Sequence, residues 1–182
     1  MAEAENLFAE ATGDDYIIKI NKQAKLHKFA VDNTLRDEMQ KYVIFAKPNR
    51  KGFEPKSADD LKQLIDEMQE TQAYRDRLTG ILISAQIAID EIGILIATGE
   101  SYLFTEYNDL MKKCSNKETR DAAICYVFGP VIRRQSQWKS LKGIGEMARQ
   151  NLNETYFALR EIGENGRNIL EARKVRRSFD GK

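Results

Sequence analysis

Ile81-Leu82-Ile83-Ser84-Ala85-Gln86-Ile87-Ala88-Ile89-Asp90-Glu91-Ile92-Gly93-Ile94-Leu95-Ile96-Ala97 is the most apolar stretch of this 182-residue chain, and its reading decides the fold. Gln86, Asp90 and Glu91 interrupt it, which makes it too polar for a bilayer span. Upstream, Leu61, Leu64, Ile65, Met68, Leu78 and Leu82 continue a helical spacing that runs on through Ile89, Ile92 and Ile96. Ser57-Ala58-Asp59-Asp60 reads as its start, an N-cap followed by an acidic first turn. The pattern stops at Thr98-Gly99, giving a helix of about forty residues, or about 60 Å at 1.5 Å per residue. Gly80 and Gly93 lie inside it; interior glycine costs on the order of 1 kcal/mol against alanine, so a bend or a close helix crossing is expected there.

Downstream, a shorter helix is predicted over residues 101–113, and Ser115-Asn116-Lys117-Glu118 matches a capping box. A second long pattern follows through Ile124, Val127, Val131, Trp138, Leu141, Ile144, Ala148, Leu152, Tyr156, Leu159 and Ile162. Gly129-Pro130 should kink or break it, and Gly163 and Gly166 should end it before a basic tail helix. Towards the N-terminus, Pro48 and Pro55 mark residues 47–56 as a linker. Residues 21–46 form an amphipathic helical stretch, with Leu26, Phe29, Leu35, Met39 and Val43 near helical spacing. Residues 16–20 read as a short strand or the start of that helix.

These segments predict an all-α protein, a long helical hairpin or bundle with short accessory helices. The order is an acidic arm (1–15), an N-terminal helical region (16–46), a basic linker (47–56), a long-helix core (57–166) and a basic helix or tail (167–182). A thin hairpin cannot cover apolar residues that point in several directions. Ile83, Ile87, Ile94, Tyr126 and Phe128 are therefore expected to touch neighbouring copies in a homo-oligomer, with a compact four- or five-helix monomer as the alternative.

Hydrophobic residues make up 42% and charged residues 31%, which describes a globular chain and excludes a disordered one. The formal charge of +1 hides an uneven distribution. Glu3, Glu5, Glu10, Asp14 and Asp15 crowd the first fifteen residues, while Arg167, Arg173, Lys174, Arg176, Arg177 and Lys182 dominate the last sixteen. Such asymmetry suits self-association by charge or a polyanion partner at the tail. Cys114 and Cys125 have neither disulfide-framework nor zinc spacing, and Cys125, in Ala-Ile-Cys-Tyr-Val, reads as a small core residue. The absence of a basic segment followed by an apolar run at the N-terminus points to a cytoplasmic protein without a membrane partner.

Catalytic signals are sparse. His27 is the single histidine, in a basic stretch of a surface helix, so histidine-dependent nucleophilic chemistry has one poor candidate and histidine-based metal sites have too few ligands. Asp90 and Glu91 sit in the apolar stretch, where two carboxylates would face the gap between helices and pair with Arg or Lys, or hold a hard cation. There is no phosphate-binding loop, and Gly143-Ile144-Gly145 lacks the preceding strand of a dinucleotide fingerprint. No catalytic residue, metal or cofactor is assigned.

Two basic segments carry a partner signal. Lys47, Arg50, Lys51 and Lys56 surround Phe53 in the linker, and Arg173, Lys174, Arg176 and Arg177 precede Phe179 in the tail. Cations neutralise phosphates and an adjacent ring can stack on an unpaired base, so these residues are the candidate contacts for single-stranded nucleic acid. The same cations suit an acidic protein surface. Arg133-Arg134 with Trp138 is a third candidate, although Trp138 reads better as core.

Tyr107-Asn108-Asp109-Leu110-Met111-Lys112-Lys113, the Ser115 helix start, and a helix bearing Trp138, Leu141, Ala148 and Phe157-Ala158-Leu159-Arg160-Glu161-Ile162 resemble the UvsY-like phage recombination mediators over roughly residues 85–165. The chain departs from that pattern in a longer N-terminal region and a more basic ending. The resemblance implies a viral, ring-forming helical protein that binds single-stranded DNA and helps load a recombinase. The expected function is thus a non-enzymatic, oligomeric single-stranded-DNA-binding accessory protein. The alternative is a helical assembly protein, such as a phage DNA-packaging or virion component, whose basic tail binds an acidic protein.

Overall fold

The computed structural model describes residues 8–26, 29–45 and 55–180, with backbone alone at Phe45 and at 177–180. Among these residues every regular element is helical. A 3-10 turn at Ala11–Gly13 precedes α1 (Asp15–Gln23), α2 (Asn33–Phe45), α3 (Ala58–Glu106), α4 (Asn108–Lys113), α5 (Lys117–Val127) and α6 (Gly129–Asp180). The all-α expectation therefore holds. The chain groups into two compact units, one from Met1–Asn33 and Ile83–Lys142, the other from Thr34–Leu82 and Gly143–Lys182. The two long helices, α3 and α6, contribute a segment to each.

Several boundaries differ from the sequence expectation, each for a local reason. Residues 16–20 are helical because the Asp14 side chain accepts from the backbone amides of Tyr16 (2.8 Å) and Ile17 (3.2 Å), an N-cap that starts α1. The amphipathic stretch is two α-helices, α1 and α2, and not one. α3 does not stop at Gly99 but continues to Glu106. The helix predicted over 101–113 is thus divided at Tyr107, between α3 and α4. The capping box is one residue later than expected: Asn116 Oδ1 accepts from the Thr119 amide (2.8 Å), and Thr119 Oγ1 accepts from the Asn116 amide (3.3 Å). The break at Gly129-Pro130 is present, and proline in the first turn of α6 lacks a donor that would have no intrahelical partner there. Gly163 and Gly166 do not end α6, which runs to Asp180.

In the first unit, the α3 and α6 segments run antiparallel. Lys142 Nζ donates to Gln86 Oε1 (2.8 Å), and Gln135 Nε2 donates to the Ile89 carbonyl (3.3 Å), so residue numbers rise on one helix as they fall on the other. The core includes Phe8, Ile17, Ile92, Leu103, Val127 and Phe128. Trp138 is buried, and its indole Nε1 donates to the Phe29 carbonyl at 3.0 Å. That bond satisfies a polar handle which would otherwise cost free energy in the interior. Asp14 draws distant parts of the unit together, its Oδ2 accepting from the hydroxyls of Tyr102 and Tyr107, both at 3.0 Å. Desolvation raises the Asp14 pKa, but the hydrogen bonds from Ile17, Tyr102, Tyr107 and Tyr16 outweigh it and hold the carboxyl below its ordinary range. The Tyr102 hydroxyl is pushed up to about 12, by desolvation first and then by the Asp14 carboxylate.

In the second unit, α2 lies against α6 at Gly145 through Met39 and reaches α3 through the Glu38–Arg77 pair. Met39, Leu64, Leu78, Leu82, Leu152 and Leu159 are buried. A Cβ on Gly145 would stand 2.8 Å from Leu82 Cδ2 and 2.9 Å from Met39 Cε, so α6 meets both neighbours at a point that only glycine leaves open. Arg77 donates to both carboxylate oxygens of Glu38, Nε to Oε1 at 2.9 Å and a terminal nitrogen to Oε2 at 3.2 Å. The Tyr42 hydroxyl also donates to Glu38. The Arg77 hydrogen bond leads in lowering the Glu38 pKa, while burial and Glu38 push Tyr42 up to about 12. The buried hydroxyls of Thr71 and Thr155 bond the carbonyls of Glu67 and Asn151 four residues back.

Contrary to the expectation drawn from Gln86, Asp90 and Glu91, α3 is long and apolar enough, by length and composition alone, to cross a membrane, and 28% of its most apolar window is buried. Within residues 81–97, Ile81, Leu82, Ala85, Ala88, Ile89 and Ile92 are buried, while Ile83, Ile87, Ile94 and Ala97 are exposed.

Candidate functional site

The site begins with Pro55, the first described residue of the linker. Pro55 is buried against α6 at Gly166. A Cβ there would lie 2.5 Å from Pro55 Cγ and 3.1 Å from Leu61 Cδ2, so glycine lets the start of α3 lie directly on the helix. Two residues on, Ser57 Oγ accepts from the Asp60 amide (3.1 Å). Asp60 Oδ2 in return accepts from the amides of Lys56 (2.8 Å) and Ser57 (3.0 Å). The Lys56 amide bond is the first cause of the lowered Asp60 pKa, and the carboxylate is thereby committed to the cap. The backbone at Lys56 is fixed at the mouth of a groove.

That groove has a volume of about 340 Å³ and is lined by Lys56, Ala58, Leu61, Arg167, Leu170, Glu171, Arg173 and Lys174. Arg167, Leu170, Glu171 and Lys174 lie at intervals of three, one and three residues, which places them on one face of α6. Leu61 and Leu170 are half-buried, while Lys56, Arg167, Arg173 and Lys174 are exposed. Four cations thus face one carboxylate, Glu171, around a partly apolar surface. Arg167 also lines a neighbouring groove with Leu61, Leu64, Tyr156 and Arg160. There Arg160 Nε pairs with Glu164 Oε1 at 2.9 Å, and the Arg75 guanidinium lies 4.8 Å from the centre of the Tyr156 ring.

The structure brings together Lys56, Arg173 and Lys174 from the two basic segments. Arg176 is exposed but stands two and a half turns from Arg167, on the opposite face of α6. Lys47, Arg50, Lys51 and Phe53 lie outside the described residues, as do His27 and the side chain of Arg177. In the sequence, Arg167 contributes only to the charge of the tail. The signal that singles it out is the seven-residue spacing of Arg160, Arg167 and Lys174, a basic row with about 10 Å between successive members.

The remaining candidates disperse. Asp90 and Glu91 are both exposed and do not face a gap between helices; Asp90 Oδ1 accepts from Gln86 Nε2 at 2.7 Å. Among the described residues, no three or more His, Cys, Asp or Glu side chains converge in a way that could hold a metal ion. Cys125 is exposed, not a core residue, and lines a groove of about 410 Å³ with Tyr126, Pro130 and Arg133, whereas Cys114 is buried. Arg133 points into that groove region while Arg134 Nε donates to the Ala24 carbonyl (3.4 Å) and Trp138 is core, so the third basic candidate is not assembled. Ile83, Ile87, Ile94 and Tyr126 are exposed. Phe128 is fully buried in its own unit against Gly99 and is not available to a neighbouring copy.

The fold and the groove define a class, an all-α protein with a cationic groove at a helix–helix junction. No family model, curated protein or solved structure matches the chain.

Proposed function

We propose that the protein is a non-enzymatic, oligomeric accessory protein that binds single-stranded DNA through the groove of Lys56, Arg167, Arg173 and Lys174. The observation that carries the reading is the convergence of four exposed cations from two distant segments on one partly apolar surface. A phosphate backbone supplies the counter-charge, and Leu61 and Leu170 offer apolar contact for sugar or base. The resemblance of residues 85–165 to recombination mediators supports a role in loading a recombinase in the cytoplasm of an infected host. The same cations would accept an acidic protein surface, the property that a packaging or virion component would use.

The test is fluorescence anisotropy with a labelled oligonucleotide across a salt series. Binding through the groove predicts an affinity that falls steeply with salt, and loss of binding in Arg167→Ala/Lys174→Ala with helicity retained. An affinity unaffected by salt or by that double substitution rejects the groove as the contact. Absence of oligonucleotide binding, with capture of an acidic polypeptide instead, favours the assembly role.

A further inference from the structure

Ile83, Ile87, Asp90, Ile94, Ala97 and Ser101 follow one another along α3 in alternating steps of four and three residues, and all six are exposed. Ile83, Ile87 and Ile94 leave 57%, 54% and 66% of their surface open. The inward seam of the same helix segment is separate: Ala85, Ile92 and Gly99, seven residues apart, are buried in the unit. Steps of four and three are the spacing by which one helix packs along another with a shallow crossing angle. The segment thus carries one helix-pairing seam that is used and a second that is not.

We propose that this second seam pairs with its own copy in a second molecule, antiparallel about a two-fold axis near Ile92. The argument for a second copy is self-complementarity. In this register Ile83 meets the partner's Ser101, Ile87 meets the partner's Ala97, and Asp90 meets the partner's Ile94. A large side chain faces a smaller one in each of the outer layers, which lets the helices approach evenly. Parallel pairing would instead set the two Asp90 carboxylates face to face, which like-charge repulsion and desolvation oppose. The antiparallel register offsets them by about 6 Å along the axis, four residues at 1.5 Å, and leaves each with its Gln86 amide donor. A polar residue at one seam position specifies register at a cost in stability. The seam is short, about 27 Å from residue 83 to residue 101, and Ile83, Ile87 and Ile94 are its only large apolar side chains, which suits a transient contact better than a permanent one. The dimer is therefore one that dilution dissociates.

This pairing deepens the oligomeric part of the proposed function and does not depend on DNA binding. An isologous two-fold contact closes on itself, so it yields dimers and not a ring.

Sedimentation of the full chain over a wide concentration range tests it. The weight-average mass should rise from one chain towards two, Ile87→Lys/Ile94→Lys should keep it at one chain with helicity unchanged, and Asp90→Leu should shift the midpoint to lower concentration. In a Cys125→Ser background, Ile87→Cys/Ala97→Cys should cross-link into dimers on mild oxidation, while Ile87→Cys alone should not. A mass that stays at one chain throughout, or a mass increase untouched by the lysine pair, overturns the proposal. Cross-linking by Ile87→Cys alone, the mark of parallel pairing, also overturns it. So does flotation of a monomeric chain with neutral phosphatidylcholine vesicles that the lysine pair abolishes. Oligonucleotide binding by Ile87→Lys/Ile94→Lys keeps the two readings apart, since neither residue lines the groove. A parent chain that stays monomeric at every concentration yet binds the oligonucleotide fails only the pairing, and binding lost with Arg167→Ala/Lys174→Ala fails neither.

Discussion

The ring of Phe128 occupies the space in which a Cβ on Gly99 would stand, with Cζ 2.5 Å and Cε1 2.7 Å from that position. Both residues are buried. The glycine that looked like the end of a helix is instead the notch that admits the residue joining α5 to α6. Gly99→Ala should therefore destabilise the protein by roughly 1–3 kcal/mol through overpacking, even though alanine is the better helix former. Gly143→Ala is the control. Nothing lies within 4 Å of its would-be Cβ, and it should gain up to about 1 kcal/mol. Urea unfolding of the two variants gives opposite signs if this contact is correctly read.

Asp14 links pH to stability. Its folded pKa is depressed below the ordinary 3.8, so its contribution is present at neutral pH and down to the unfolded pKa, and is lost as pH falls through the lower folded value. Asp14→Asn should be less stable than the parent at pH 7, because the cap and the two tyrosine hydroxyls lose a charged acceptor. The difference between the two should shrink below about pH 4. Thermal unfolding across pH 2.5 to 7 measures it, and a difference that grows on acidification would refute the linkage.

Trp138→Phe preserves most of the buried ring and removes the Nε1 donor to the Phe29 carbonyl. The net loss of one such hydrogen bond costs roughly 0.5–1.5 kcal/mol. Denaturant unfolding should show that loss, with little change in helicity. A cost near zero would mean that the carbonyl finds another donor.

The groove makes a quantitative prediction about salt. Each phosphate neutralised on a single strand contributes a slope of about −0.7 to log K against log salt. Arg167→Ala/Lys174→Ala should reduce the steepness by about 1.4 units. The slope, and not only the affinity at one salt concentration, is the quantity to compare, because a folding defect would lower affinity without this signature.

The features legible in the sequence are those that neighbouring residues decide among themselves. Ser57 and Asp60 lie three apart and cap α3 with their own side chains, and proline after Gly129 breaks the chain through its missing donor. The periodicity of residues 61–96 could form nothing but helix. The destination of each side chain was not legible. Gly99 became a packing notch because Phe128 arrives from another part of the chain, which also removes Phe128 from the outer surface. Arg167 joined Lys56 because Gly166 lets Pro55 lie against α6. By itself the sequence determined the long helices, the Ser57 cap of α3 and the sign of charge in each segment, since these depend on bonds and spacings within a few residues. Only the tertiary structure decided which apolar residues are covered and which cations share a groove, because packing sets residues more than a hundred positions apart within contact distance of one another.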